Sequence, residues 1–424
     1  MSSYENIIDE FVPEWLNKEY ILSILRNDEL EGQQIKISKY NLLNPTKGEH
    51  FASTMFFGEL FYSLGGEEKT KHIIIKILPQ GNALKTEALE GGHVFETESK
   101  IYHETIPKFE AILSKYGDNS KLGAKMIFHS LVKDKEIIVL ENLKQRGFTS
   151  SGLEFTNYEE ALLSIERIAK WHACSMKLNN EGDMSMKDYS HGSFNLKNID
   201  KMSIFSNGIQ VFNEFLESQE DLVKFRPYFK KMEKTLLKKV IKTYSDNGRV
   251  RVLNHGDFHC NNVMLKHFNN DRTKPEDVML IDFQFCVWGP VVIDLMYGIH
   301  TFFKLDFRTD INNRDKIIKF YFDHLVETLE KIEYRGEIPT LKDIHKDLVD
   351  QSHMEIFFLT TFMPLSMMYE NATDFEKMDS DKLMNNSGDN GVLKFYYYPQ
   401  YVAKVKELLP LYLNRGWLDG FDEL

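Results

Sequence analysis

Val250-Arg-Val-Leu-Asn-His255-Gly-Asp257-Phe-His-Cys-Asn-Asn262-Val-Met-Leu265 is the densest run of chemistry in the chain. Its first residues alternate as a strand does, its polar middle reads as a loop, and its last three residues begin a second short strand. The loop presents a histidine, an aspartate and, five residues after the aspartate, an asparagine. Downstream, Val278-Met-Leu-Ile281 is an apolar strand that ends on Asp282-Phe283-Gln284. A buried strand that delivers a carboxylate at its end suits a metal site. The strand fixes the ligand, and burial without a counter-charge would penalise it. Phosphoryl transfer needs such parts: a carboxylate beside the acceptor hydroxyl, and Asn and Asp oxygens that hold Mg²⁺ against the phosphates.

Working outward, Ile7, Ile8, Phe11, Val12, Trp15 and Leu16 sit at helical spacing, followed by Ile21, Ile24 and Leu25 after a break at Asn17. This predicts one or two helices. A β-rich region follows. Ile35 and Ile37 alternate with polar residues, Gly48-Glu-His-Phe-Ala-Ser53 reads as a turn, and Phe56 to Tyr62 and Ile73 to Ile77 complete a small sheet. Leu89 to Leu113 returns to helical period with Phe95, Glu98 and Tyr102 on one face. Ile127 to Leu131 and Ile137 to Leu140 are two more strands around a charged turn, Lys133-Asp-Lys135. Beyond Leu140 the pattern is mainly helical. Tyr158 to Leu178 and Phe212 to Thr243 read as helices, and nearly everything after Asp315 does too. The expected fold class is therefore α+β and two-lobed, with a small antiparallel sheet and one helix in 1–140 and a larger helical region in 141–424.

Composition bounds the function. The chain has 424 residues with 52 Lys+Arg against 64 Asp+Glu, so its net charge of -12 does not describe a nucleic-acid-binding surface, though it leaves room for a local basic pocket. The three cysteines, Cys174, Cys260 and Cys286, form no C-x-x-C pair and suit a reducing compartment. The acidic N-terminal stretch does not read as a signal peptide. The most apolar run, Ile356 to Met368, is too short to span a bilayer and is expected as a buried helix kinked at Pro364. The Phe421-Asp-Glu-Leu424 tail and the sequons at Asn371 and Asn385 matter only in a secretory lumen, to which nothing directs the chain. The expected location is cytoplasmic, with no membrane or nucleic-acid partner, as a monomer or weak homo-oligomer.

The motif His255-x-Asp257-x-x-x-x-Asn262 followed by Asp282-Phe-Gln284 resembles the catalytic loop and metal motif of kinase-fold small-molecule phosphotransferases such as the choline and aminoglycoside kinases. Within that group it is most similar to the ecdysteroid kinase-like family of insects. Four more segments share the resemblance, in order: Gly48 to Ser53 as the turn over the nucleotide, Ile75-Lys76-Ile as the lysine strand, Phe95-x-x-Glu98-x-x-Ile-Tyr102 as the paired helix, and Val139-Leu-Glu141-Asn-Leu143 as the interlobe hinge. The resemblance spans about residues 10 to 370. It implies a bilobal protein-kinase-like fold with ATP and Mg²⁺ as cofactors and a small-molecule hydroxyl as acceptor, an ecdysteroid or a xenobiotic alcohol first.

It also implies roles. Lys76 would contact the α/β-phosphates, with Glu98 holding its ammonium. Asp257 would orient the acceptor hydroxyl and take its proton, and Asn262 and Asp282 would ligate Mg²⁺. Ser53 would help cover the phosphates, and the backbone from Glu141 to Leu143 would bind adenine. His255 would hold the loop, with Asp294 bracing it from behind. The chain lacks a G-x-G-x-x-G run, an Ala-Pro-Glu after Asp282 and an Arg after His255, which speaks against a protein substrate.

Other readings of the same residues lead elsewhere. His255-x-x-x-His259 with Asp257 between has zinc-like residue types, but Gly256 and the preceding strand make this a loop, and a third ligand and a general base are missing. A silent kinase fold that binds a ligand or acts as a scaffold is a second alternative, opposed by the intact set Lys76, Asp257, Asn262 and Asp282. The aromatic run Phe395 to Tyr398 and the helix from Phe357 to Met368 read as core packing.

Overall fold

A computed structural model describes residues 6–29, 34–44, 53–78, 93–151, 155, 157–183, 186, 188–190, 192, 203–245, 248–304, 307, 310–364, 393–419 and 421. Of the Gly48–Ser53 turn only Ser53 lies within these residues, and both sequons lie outside them. The chain divides into two compact units. The first takes Met1–Thr149, Met264–Asn270 and Glu276–Gln284; the second takes Ser150–Val263, Asp271–Pro275 and Phe285–Leu424.

In the first unit, helix α1 (Lys18–Asp28) starts where Asn17 Oδ1 accepts the Tyr20 N–H at 3.2 Å. The helix expected over Ile7 to Leu16 is absent. Ile8 instead forms a parallel bridge with Leu42, Asp9 accepts the Phe11 N–H at 3.1 Å to make a local turn, and Pro13 supplies no N–H. Ile7, Ile8 and Phe11 are exposed, so their helical spacing marks no buried face.

Strands β1 (Ile35–Leu43), β2 (Thr54–Leu64), β3 (Glu67–Ile77), β4 (Met126–Ser130) and β5 (Ile137–Glu141) form one antiparallel sheet in the order β1-β2-β3-β5-β4. Gly65 and Gly66, at φ 59° and 95°, make the two-residue turn between β2 and β3, a conformation that favours glycine. Ile73 and Ile75 on β3 join Phe56, Leu60, Ile137 and Val139 with Ile21, Ile24 and Leu25 of α1 in one core. Strand parity turns Lys76 to the opposite face from Ile75. Helix α2 (Val94–Lys100) runs through a single π turn, Ile101–Thr105, into α3 (Ile106–Lys115), with Phe95, Glu98, Ile101, Tyr102, Ile106 and Phe109 buried along it.

The second unit is mostly helical. Helix α4 (Tyr158–Asn180) opens with a capping box of Asn157 and Glu160. The helix expected from Phe212 to Thr243 is broken into Ser203–Glu217, Arg226–Met232 and Leu236–Ser245, with a 3-10 turn at Val223–Phe225 and Pro227 opening the second piece. The strand Arg251–Asn254 pairs with Val287–Pro290. Helix α4 grips it: Trp171 Nε1 donates to the Leu253 carbonyl at 2.6 Å, and the Leu253 N–H donates to Ser175 Oγ at 3.0 Å.

The apolar run changes its helical winding ahead of Pro364. Helix His353–Phe357 passes into a π turn at Phe358–Phe362, where Tyr401 and Tyr396 hydroxyls donate to the Leu359 and Thr360 carbonyls at 2.9 and 2.6 Å. Of the aromatic run, Phe395 and Tyr396 pack as core, whereas Tyr397 is exposed. Among the described residues no helix is long and apolar enough to cross a membrane.

Inside this helical unit Glu355 accepts from the Arg314 guanidinium and lies 2.7 Å from His300 Nε2. Burial alone would raise its carboxyl, yet Arg314 and then His300 outweigh burial and hold it at about 2, below the ordinary 4.5. A depressed folded-state value stabilises fully above 4.5, and that stability is lost as pH falls through the folded value. Melting temperature should therefore drop between pH 4.5 and 2. Glu355→Gln, less stable at neutral pH, should show a shallower acid slope. An unchanged slope in that variant would assign acid sensitivity to other carboxylates.

Candidate active site

Lys76 is the centre of a buried cluster in the first unit. Its Nζ donates to Glu98 Oε1 at 2.6 Å and to Asp282 Oδ1 at 2.8 Å. Glu98 comes from α2. Asp282 follows the strand Pro275–Leu280, whose end is docked by the Leu280 N–H on the Leu122 carbonyl at 3.2 Å. Asp282 adopts φ 68°, in the left-handed region, an uncommon conformation that side chains other than glycine hold only under local constraint. Phe283 packs edge-on against Tyr102 with ring centroids 5.2 Å apart, fixing the turn that presents Asp282.

Burial works against the Lys76 charge, but Asp282 and then Glu98 more than compensate and keep it above the ordinary lysine value. Burial raises the Glu98 carboxyl to about 7; Lys76 pulls it down, and the negative Asp282 pushes it up again. One ammonium faces two carboxylates, so the cluster has an excess negative charge.

The other first-unit residues are placed separately. Ser53 is buried just before β2. Glu141 ends β5; its N–H donates to the Lys125 carbonyl at 3.0 Å, and its carboxylate accepts from the Lys125 N–H at 2.8 Å and from Arg146 at 3.0 Å. Two residues on, Leu143 is buried, and its N–H makes no hydrogen bond among the described residues.

In the second unit the His255–Asn262 loop rests on Asp294, which is fully buried. Asp294 accepts the His255 N–H at 2.6 Å, the Gly256 N–H at 2.9 Å and His172 Nε2–H at 3.0 Å, while His172 Nδ1 pairs with Tyr321 OH at 2.7 Å. Gly256 has φ 80°, and a Cβ there would lie 2.0 Å from the Phe285 carbonyl oxygen, so only glycine fits. At the rim, Asn262 Nδ2 donates to the Asp257 carbonyl and to Asp257 Oδ2, each at 2.9 Å. The amide hydrogens are committed to Asp257, and Asn262 Oδ1 accepts no hydrogen bond among the described residues.

These donors suit Mg²⁺. They are hard oxygens, one on a carboxylate in a cluster with surplus negative charge and one on an amide with no donor of its own. Among the described residues no three or more His, Cys, Asp and Glu side chains gather as a metal-binding group.

Two neighbours of these side chains were not legible as site residues. Tyr102 is buried beside the cluster, where burial and then the Glu98 charge raise its phenol well above the ordinary value. Its spacing of four from Glu98 on one helix was the available signal. His259 stands 3.3 Å from Asp257 Oδ2. Its sequence position suggested only a zinc ligand.

The fold is the α+β kinase-like plan, an antiparallel sheet region followed by a mostly helical remainder. The ecdysteroid kinase-like family model matches residues 47–334, more than half of the chain, and the chain belongs to that family. Membership indicates a small-molecule phosphotransferase. Solved structures with a distant likeness include a microcompartment-associated aminopropanol kinase (10% identity, covering 94% of this chain and 99% of that one, TM-score 0.36). An ethanolamine kinase from Plasmodium vivax gives 12% identity, 94% and 91% coverage and a TM-score of 0.37. A macrolide 2′-phosphotransferase from Brachybacterium faecium gives 11%, 88% and 100%, and 0.34. No curated protein sequence matches the chain.

The cluster makes a prediction that needs no substrate. Lys76→Met strands two carboxylates together, and adding Glu98→Gln removes one of them. The double variant should be more stable than the sum of the single losses requires, with a coupling of about 0.5–3 kcal/mol in denaturant melts. Strictly additive losses would mean that the two side chains do not share their environment.

Proposed function

We propose that the protein transfers the γ-phosphoryl group of ATP, with Mg²⁺, to a hydroxyl of a small molecule in the cytoplasm. Ecdysteroids are the first acceptors to test, with related steroid and xenobiotic alcohols next. The observation that supports this most directly is Lys76 held between Glu98 and Asp282, residues that are 22 and 206 positions away in sequence. A buried lysine with surplus negative charge around it has little structural purpose, and it suits a polyphosphate that arrives with a divalent cation.

Lys76 binds the α/β-phosphates and Glu98 aims its ammonium. Asp282 and Asn262 would each offer an oxygen to Mg²⁺, which would neutralise charge on the phosphates. The Leu143 N–H, unpaired among the described residues, is available to an adenine ring nitrogen, with the Glu141 backbone beside it. Ser53 covers the phosphates from the start of β2. Asp257 aligns the acceptor hydroxyl and takes its proton as the new O–P bond forms and the bond between the γ-phosphorus and the β-bridging oxygen breaks, releasing ADP. The phosphate ester is the product.

The first experiment is transfer from labelled ATP across a panel of ecdysteroids, other steroids, cholines, aminoglycosides and plant glycosides. Labelled product is expected with at least one steroid alcohol. No transfer to any hydroxyl, together with steroid binding that ignores ATP, would favour a silent ligand-binding fold. Asp257→Asn should melt like the parent and bind ATP as tightly, with turnover down by roughly 10²–10⁴, the range of a positioned general base. Asp282→Ala should keep its fold and lose Mg²⁺-dependent nucleotide binding along with turnover. Unchanged nucleotide affinity in that variant would remove Asp282 from the metal site.

A further inference from the structure

Asp257 is anchored by one oxygen only. Oδ2 receives Asn262 Nδ2 at 2.9 Å and lies 3.3 Å from His259 Nε2, whereas Oδ1 accepts no hydrogen bond among the described residues. The second nitrogen of His259 fixes its tautomer. Nδ1 accepts the Asn261 N–H at 3.2 Å, so the neutral ring has its proton on Nε2, the nitrogen beside Asp257. Asn262 Nδ2 is 3.4 Å from that same Nε2. Two donors therefore crowd together, and the acceptor within reach of both is Asp257 Oδ2. The histidine also caps the 3-10 turn Cys260–Asn262, so one ring ties the aspartate to the turn that bears Asn262.

We propose that His259 is a positioning residue for Asp257, holding Oδ2 so that Oδ1 meets the acceptor hydroxyl. The inference rests on Asp257 acting as the base. A carboxylate oxygen that already accepts hydrogen bonds is the weaker proton acceptor, so the hydroxyl proton goes to Oδ1. In that step the acceptor O–H bond breaks, an O–H bond forms on Oδ1, and the freed oxygen bonds to the γ-phosphorus as ADP departs. The 3.3 Å approach is long for a hydrogen bond, as contacts between unliganded catalytic groups often are.

Two substitutions separate the two ring nitrogens. His259→Asn keeps an oxygen near the Nδ1 position to cap Asn261 but falls short of Asp257. His259→Gln extends an amide nitrogen toward the Nε2 position. The Asn variant should melt like the parent and bind Mg-ATP with the same Kd, with kcat lowered by about 10- to 100-fold at nearly constant acceptor KM, as expected for a misplaced reacting group. The Gln variant should recover most of kcat. Parental kcat in the Asn variant, or equal losses in both, overturns the proposal. A second readout requires no acceptor. In ¹⁵N-histidine-labelled protein, assigned by the signal missing from His259→Asn, the ring should be protonated on Nε2 and should shift in Asp257→Asn. A proton on Nδ1, or no shift, also overturns it. A parent that phosphorylates nothing removes the kinase reading, while the labelled spectrum still decides whether His259 holds Asp257.

Discussion

Lys76 brings an ammonium into the interior of the first unit, where an unpaired charge costs several kcal/mol, and two distant pieces of chain converge on its strand to meet it. The central position of β3 fixes where the charge sits, because Lys76 pairs across Met55 on one side and Ile138 on the other. Helix α2 supplies Glu98, and the turn after Pro275–Leu280 supplies Asp282. The left-handed backbone of Asp282 and the packing of Phe283 on Tyr102 follow from the need to place that carboxylate. Two carboxylates around one ammonium are what hold its charge in the interior.

The second unit meets the opposite problem with a different device. Asp294 buries a negative charge and is satisfied mainly by backbone: the N–H groups of His255 and Gly256, with His172 completing the set. Those donors belong to the loop that bears Asp257 and Asn262, so satisfying the buried charge and shaping the loop are one event. Gly256 is the residue without which the loop could not lie that close to Phe285. In one unit side chains gather around a charge; in the other the main chain wraps it.

Much of this was legible in the sequence because it depends on short spacings. The offset of five from Asp257 to Asn262, the strand that stops at Asp282, and the shared helical phase of Phe95, Glu98 and Tyr102 are all local features of the sequence. What failed to show was non-local or sub-periodic. Ile7 to Leu16 matched a helical stripe, yet its partner is β1, with Ile7 bound to Asn41 34 residues on, and no window of sequence contains that pairing. The π turns at Ile101–Thr105 and Phe358–Phe362 each widen one helical turn, a change too small to alter a hydrophobic pattern. His259 looked like a metal ligand because residue type is visible in a sequence and tautomer is not.

The first unit is assembled from three stretches of chain, the last of which closes at Gln284. Synthesis proceeds from the N-terminus, so β3 and α2 leave the ribosome long before the segment that carries Asp282. Until then Lys76 has Glu98 alone: the five-stranded sheet is complete at Glu141, but the second carboxylate is 206 positions beyond the lysine. The nascent protein must hold an incomplete β-rich unit in a soluble form throughout that interval. The order of synthesis, and not only the stability of the finished fold, therefore bears on how the first unit acquires its second carboxylate.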